Sequence, residues 1–442
     1  MTLRRLTYIL FAGIGLLLSA CSDDDGTRIE GEQTFVQVHI GVSTNPALMR
    51  GPSGGDDGDG REAGINNENK VYSVTLLLFD KNIAEAANKD AVVKKVLYFS
   101  GDELKENTDG TYELKEPYRL TTDFMTYYVV AVVNDTYDYT GKTFTEIANM
   151  KVVKPWSDRT ATEADHFVMT STSVATLNVV NDGTKGTYGN PFQTDVTVER
   201  LAARIDIDND GHNSDGDFIY DYKNTSDVKV GTVKIIDIQA FNLLNDGTYL
   251  LKHFSSDGSA VGLNYFGSEG TSPTQSQYVL DPHTLDKTTS GVPTYYDKPF
   301  DGITDLATGI TWGTPTLTAD KTVADGTDAG HKYMILTYLQ ENTLPKMTET
   351  ESTTILPRYG TVLAIHYQTI EGGTPTDRYD HYYLKHNAGA TTPTVEDPMA
   401  FSIVRNNIYR VTLIPPVKGG SSSSLTIKVK VWDKFTHSWI YM

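Results

Sequence analysis

Four groups of residues in this chain have types and spacings that could do chemistry. Gly51-Pro52-Ser53-Gly54-Gly55 matches G-x-S-x-G, the pattern that presents a nucleophilic serine. Such a serine needs a strand leading into it and a helix after it, and the stretch from 51 to 69 is instead rich in glycine, aspartate and asparagine. Asp206, Asp208, Asp210 and Asp217 fall on the oxygen-ligand spacing of a calcium loop. Its twelfth position is aspartate where glutamate is usual, Asn213 replaces an apolar residue, and no helical pattern flanks it. A hydrated inter-domain turn is the competing expectation. His381 and His386, beside Asp380, have no third ligand at zinc-like spacing. No phosphate-binding glycine loop follows a strand, so neither an enzyme nor a cofactor is expected.

The fourth group centres on Cys21, the only cysteine among 442 residues. Arg4 and Arg5 precede an apolar run from Leu6 to Leu18, which closes on Leu18-Ser19-Ala20-Cys21. This is the shape of a bacterial lipoprotein signal, cut between Ala20 and Cys21, with Cys21 then carrying the acyl (palmitate) chains. The run is shorter than the ~20 apolar residues that span a bilayer. An exported chain without disulfides must be held by its core. With 57 acidic against 38 basic residues the formal charge is -19, which argues against nucleic acid or anionic lipid as a partner. Membrane contact is expected only through the precursor's lipid.

The elements that must position these groups read as nearly all β. Tyrosine (26) outnumbers phenylalanine (15), and valines, threonines and Asn-Gly or Asp-Gly turns are frequent. Within Thr34 to Val42, the apolar Val36, Val38, Ile40 and Val42 alternate with Gln37, His39 and Gly41, the period of a strand with one buried face. An exposed loop over 44 to 69 follows, with Arg50 and Arg61 as its basic cleavage candidates. Lys70 to Asp80 is apolar enough to lie between layers. Further strands are expected at Ala91 to Ser100, Tyr127 to Val133, Arg204 to Ile207, Val228 to Leu243, Thr248 to Phe254 and Tyr333 to Leu339. Others are expected at Thr361 to Thr369, Tyr379 to Lys385 and Ile408 to Ile414, and a short helix over Thr143 to Met150. Gly419-Gly420 and Ser421 to Ser424 form a hinge before a last strand, Leu425 to Trp432. In it Leu425, Ile427, Val429 and Val431 alternate with polar residues up to Trp432, and Trp439 lies in the tail. This segment could complete its own sheet or be donated to another chain.

Several stretches taken in order carry a family resemblance. The lipobox, one alternating strand, an arginine in a Gly/Asp loop and then ENKVYSVTLLLFD resemble the fimbrillins of Bacteroidetes, the type V pilins. YYVVAVVN from Tyr127, HFVMTS from His166, ERLAARIDI from Glu199, YLQENT from Tyr338 and RNNIYRVTL from Arg405 resemble recurrent stretches of that family. The acidic Ser22-Asp23-Asp24-Asp25 beside Cys21 resembles the signal that sends Bacteroidetes lipoproteins to the outer surface.

The resemblance implies a mainly β chain of two tandem β-sandwich (transthyretin-like, Greek-key) domains with few short helices. The expected division is 1–20 signal peptide, 21–50 propeptide with the lipidated cysteine and a self-complementing strand, 51–200 N-terminal domain, 201–424 C-terminal domain and 425–442 donor segment. It also implies a mechanism. An arginine-specific surface protease cuts behind the self-complementing strand, and the C-terminal strand of the next subunit fills the vacated groove. Arg50, followed by Gly51, sits at the strand exit before GPSGGDDGDG and is preferred; Arg61, flanked by Glu62, is the alternative. The partners are then other copies of the chain, accessory fimbrial subunits and the protease, with a host protein or glycan ligand left open. The precursor is expected in the outer membrane and the product in a surface fimbrium serving adhesion. A membrane-retained anchor or tip subunit remains an alternative, as does a surface glycan-binding lipoprotein using aromatics such as Trp312, Trp432 and Trp439.

Overall fold

The computed structural model describes residues 32–42, 61–63, 66–108, 110–156, 166–180, 183–208, 218–251, 296–313, 321–322, 332–344, 347–385, 401–420 and 424–433. The chain first forms β1 (Glu32–Val42), β2 (Arg61–Ala63), β3 (Ser73–Phe79), β4 (Lys95–Ser100), β5 (Leu104–Glu106), β6 (Tyr112–Leu114), β7 (Tyr118–Thr122) and β8 (Thr126–Val133). Helix α1 (Phe144–Ala148), β9 (Lys151–Val152), β10 (Met169–Ser171), β11 (Ala175–Asn178) and β12 (Phe192–Arg200) follow. Next come β13 (Ala202–Asp208), β14 (Ile219–Asn224), β15 (Lys229–Phe241), β16 (Leu243–Leu244), β17 (Thr248–Tyr249), β18 (Tyr296–Asp297) and α2 (Leu306–Gly309). The remainder is β19 (Lys321–Thr322), β20 (Lys332–Gln340), α3 (Glu349–Tyr359), β21 (Val362–Glu371), β22 (Thr374–Tyr383), β23 (Asn407–Ile414), β24 (Val417–Lys418) and β25 (Ser424–Asp433). The mainly β, sandwich-class architecture expected from the sequence is the one that forms.

A ten-stranded sheet runs β4-β3-β8-β10-β12-β1-β6-β5, with β11 also on β8 and β7 also on β1. It curls on itself, because Phe99 of β4 meets Tyr118 of β7 edge to face at 5.4 Å. Val36, Val38, Ile40, Leu76, Leu78, Val129 and Ala131 fill the space inside. Strands β3 and β8 are apolar on both faces because both are covered. Their other side chains, Leu77, Val130 and Val132, pack with Phe144 and Ile147 of α1. That helix starts where Thr143 caps its N-terminus and Glu146 reaches back to the cap, a capping box.

Two further sheets make a sandwich: β19-β20-β13-β23-β25-β2 and β22-β21-β15-β14-β24. Ala203, Ile205 and Ile207 of β13, with Val411 and Leu413 of β23, pack against Val233, Ile238, Leu363 and Ile365 of the facing sheet. The alternate residues of the first sheet point the other way, and Ala202, Tyr333, Tyr338 and Ile408 join the core of the ten-stranded sheet. Period-2 alternation therefore serves both sides.

Three strand expectations shift. The run from Ala91 becomes a strand only at Lys95. Strand β22 begins at Thr374, ahead of the expected Tyr379, because Gly372 and Gly373, at φ 56° and 85°, close a tight hairpin with β21. The strand expected over Thr248 to Phe254 is described only as Thr248–Tyr249. Helix α3 was not expected. Its signals are Thr348 and Glu351, which form a capping box, and Gly360 at its end.

Candidate functional site

The four alternating residues of β1 lie where a strand would be hardest to remove. Val36, Val38, Ile40 and Val42 are at most 5% exposed. Strand β1 pairs in parallel with β12 from Val36↔Phe192 to Val42↔Val198. Its other edge pairs antiparallel with β7 over Glu32 to Val36 and with β6 at His39 and Ile40. Both backbone edges are thus engaged, although β12 follows some 150 residues later in the chain. Parallel neighbours cannot be hairpin partners, so β1 is inserted between elements that do not depend on it for their own connections.

Polar contacts fasten the strand from outside. Thr34 Oγ1 donates to the Gly186 carbonyl at 3.1 Å, and the Phe35 amide donates to the same oxygen at 2.9 Å. Gly186, at φ 82°, must be glycine here, since a Cβ would lie 2.3 Å from Thr34 Oγ1. Gln37 Nε2 donates to the Leu114 carbonyl at 2.8 Å. His39 stands between Asp195 of β12 (3.1 Å) and Glu113 of β6 (3.4 Å). The Lys105 ammonium, hydrogen-bonded to Glu113, holds that carboxyl below the usual glutamate range.

Removing β1 would expose an apolar trough and two rows of unpaired backbone groups. Each of the four aliphatic side chains contributes about 1.5–3 kcal/mol when buried. Each ladder hydrogen bond adds on the order of 1 kcal/mol. A trough of that kind accepts another alternating strand.

The second expected partner, the C-terminal strand, is occupied in this chain. Strand β25 pairs antiparallel with β23 from Asn407↔Val431 to Ile414↔Ser424, so Leu425, Ile427, Val429 and Val431 complete their own sheet. On its outer edge β2 pairs with it in parallel, Arg61↔Val431, Glu62↔Trp432 and Ala63↔Asp433. Arg61 thus lies in a paired strand, whereas proteases act on unpaired, extended backbone. Ala20, Cys21, Arg50, Gly51, His386 and Trp439 lie outside the described residues.

The calcium candidate, the lesser reading of this loop, is not met at Asp206. This carboxylate is fully buried on β13 and both its oxygens are taken: Oδ1 by Arg204 Nε (2.8 Å), Oδ2 by Arg204 Nη2 (2.9 Å) and Arg410 Nη2 (3.2 Å). Guanidinium forks fill the positions a cation would need. Asp208 accepts from Thr412 at 3.0 Å, while Asp210 and Asp217 lie outside the described residues. Among the described residues no group of three potential ligands could hold a metal ion.

What sequence reading missed is the network to which Asp206 belongs. Arg204 Nη1 donates to Glu68 Oε2 at 2.8 Å, with the two side chains 0% and 3% exposed. Burial works against the Arg204 charge, but Asp206 and Glu68 outweigh it and hold the guanidinium well above its ordinary pKa. Arg200 Nε donates to the Glu68 carbonyl (2.9 Å), its Nη1 to Asn406 Oδ1 (2.9 Å), and the Tyr338 hydroxyl bonds Glu68. Arg405, also buried, pairs with Glu341 at 2.8 Å. These residues come from ENK, ERLAAR, YLQENT and RNNIYR, four of the stretches that carry the family resemblance. Charged residues on strands otherwise apolar were the available signal. The network pins the turn at 66–69, just ahead of β3.

No family model matches this sequence, and no curated protein matches it. Solved structures that it resembles include Bacteroidetes fimbrilins and putative cell adhesion proteins. One is a fimbrilin from Porphyromonas gingivalis, 13% identical, covering 91% of this chain and 99% of the other at a TM-score of 0.39. Another is a fimbrial assembly protein from Parabacteroides distasonis, 10% identical, with 90% and 99% covered and a TM-score of 0.34. The fimbrial anchor protein Mfa2 from Porphyromonas gingivalis is 10% identical, with 92% and 100% covered and a TM-score of 0.30.

Proposed function

We propose that this chain is the precursor of a structural subunit of a surface fimbria, assembled by donor-strand exchange in support of adhesion. The observation that carries the proposal is β1 itself: an inserted strand, buried through Val36, Val38, Ile40 and Val42 and paired on both edges. Signal cleavage at Ala20-Cys21 and lipidation of Cys21 would hold the precursor at the outer membrane. Proteolysis after Arg50 would turn β1 from a tethered strand into a separate peptide. Its high effective concentration is then lost and a competing strand can replace it. Replacing one alternating strand with another changes the contact energy little, so cleavage supplies the direction.

The competitor would be the segment Leu425 to Met442 of another copy, which must first leave its own place beside β23. Exchange within the trough is itself near neutral, so the donor's lost pairing with β23 and β2 is an added cost that the untethering of β1 must offset. The resulting contact is head to tail and does not close, so it builds a filament. An anchor or tip subunit of the same fimbria, or a surface glycan-binding lipoprotein, is the second reading, and both would keep the lipid on Cys21.

Sequencing the N-terminus of material sheared from cells distinguishes these readings. A start at Gly51 is expected for the filament subunit, and a retained acylated Cys21 would favour the second reading, with filaments in electron micrographs marking an anchor or tip subunit and their absence the glycan-binding lipoprotein. The Arg50→Ala variant should accumulate as full-length lipoprotein without filaments. Normal filaments from that variant would overturn the assignment of the cut.

A further inference from the structure

A cleft that strand exchange does not use opens along β15, lined by residues of that strand, by the 309–313 segment and by Leu336 and Thr337 of β20 in the other sheet. It has a volume of about 530 Å³, and Asp237, Gln239, Lys298, Thr311, Trp312 and Gly313 are among the residues lining it. Along β21, Leu363, Ile365 and Tyr367 face the sandwich core, while Val362 and Ala364 join Phe241 and Phe300 on the opposite, outer side. His366 belongs to that outer row, opposite Asp237 on β15 and Tyr379 on β22. Asp237 is brought into the row by the register shift between Ile235 and Asp237. A bulge at that point turns a carboxylate outward onto a face otherwise lined by rings.

The polar groups of the cleft are held before any ligand arrives. Asp237 is 2% exposed, and its Oδ2 accepts from the Gly313 amide at 2.8 Å and from Gln239 Nε2 at 2.6 Å. Gln239 Nε2 also donates to the Thr311 carbonyl at 3.0 Å, which leaves its carbonyl oxygen as the acceptor to offer. The Trp312 indole N–H is tied to the Leu306 carbonyl at 2.9 Å. Its ring is backed by His366 at 5.5 Å and Tyr379 at 5.6 Å, and these two stack on each other at 4.6 Å. A ring fixed at its edge and braced from behind loses little freedom when something packs on it.

From this arrangement we propose that the cleft is a carbohydrate-binding site for a hexopyranose. A pyranose has an apolar C–H face and a rim of hydroxyl donors. An indole wall suits the face, and a carboxylate beside an amide oxygen suits adjacent hydroxyls through charge-assisted bonds. The Lys298 ammonium adds a donor for a ring or glycosidic oxygen. The site is independent of strand exchange, and each could fail without the other. In a filament of such subunits it would give a lateral sugar contact repeated once per subunit.

The test is saturation-transfer NMR on the full chain with methyl α-mannoside, methyl β-galactoside, methyl β-glucoside and methyl N-acetyl-β-glucosaminide. At least one should receive saturation. Asp237→Asn, which keeps the shape and the acceptor for Gly313, should weaken its binding by about tenfold or more, the loss of a charge-assisted bond. Trp312→Ala should abolish it, and Trp312→Phe, less disruptive to folding, should retain part. Circular dichroism melting confirms that each variant is folded. No transfer to any of the four glycosides overturns the proposal, as does transfer unchanged by both Asp237→Asn and Trp312→Phe.

Discussion

Arg204 and Glu68 form an ion pair that water barely reaches, and the value of that pair depends on its completeness. Desolvating two charges costs several kcal/mol per ion, which only good geometry and further hydrogen bonds offset. Here Glu68 has Arg204 and Tyr338, and Arg204 has both Glu68 and Asp206. Glu68→Ala would leave Asp206 alone to balance Arg204 and Arg410, and should destabilise the chain by about 3–5 kcal/mol, the usual effect of an uncompensated buried charge. Asp195→Ala removes an acid whose side chain is 89% exposed, and should cost less than about 1 kcal/mol. Urea unfolding of both variants measures the contrast. Equal losses would mean that the buried network contributes no more than a surface pair. Nothing in the spacing of ERLAAR or RNNIYR foretold the network, because its members are up to 270 residues apart in sequence.

At the scale of elements, helix α3 shows how local chemistry can be legible and still be overlooked. Thr348 and Glu351 satisfy each other's backbone groups at its start, and that backbone hydrogen bond holds the Glu351 carboxyl below its usual range. A carboxyl whose folded pKa is depressed stabilises the fold above its unfolded pKa, and the contribution is lost as pH falls through the folded value. Glu146 at the start of α1 is lowered by the same kind of bond, to Thr143, with the same sign. Thermal stability should therefore fall as the solution is acidified from neutrality through the range in which these carboxyls take up protons. Glu351→Gln should lower Tm at neutral pH and leave a smaller acid-induced drop. A Glu351→Gln profile parallel to that of the parent chain would count against this linkage. The strands were easier to read. Alternation located β1 and β25 within a few residues, because a strand with one buried face imposes a period of 2 on its own sequence. Helix α3 imposes no comparable pattern: only Ser352, Ile355, Leu356 and Tyr359 are buried, and Pro357 interrupts it.

For the whole molecule, the decisive feature is that a strand from the beginning of the chain lies beside one that ends at Arg200. A chain starting at Gly51 lacks β1 and with it four core side chains. It should be markedly less stable than the full chain and prone to self-association. A synthetic peptide of residues 32–42 added in trans should raise its Tm and suppress the association, by binding the folded state and not the unfolded one. A peptide in which Val36, Val38, Ile40 and Val42 are serine should do neither. If the shortened chain were as stable as the full one and ignored the peptide, β1 would be dispensable and strand exchange would lose its basis.

The sequence by itself determined the mainly β character, the alternating faces of β1 and β25 and the expectation that Cys21 carries lipid, since these follow from neighbouring residues. Tertiary structure decided which edge each strand joined. It inserted β1 in parallel beside β12, seated β25 between β23 and β2, and placed Asp206 under two guanidinium groups instead of in a loop open to calcium. The physical reason is that side-chain periodicity specifies a buried face but carries no information about which backbone edge lies alongside. That choice belongs to contacts between residues far apart in the chain.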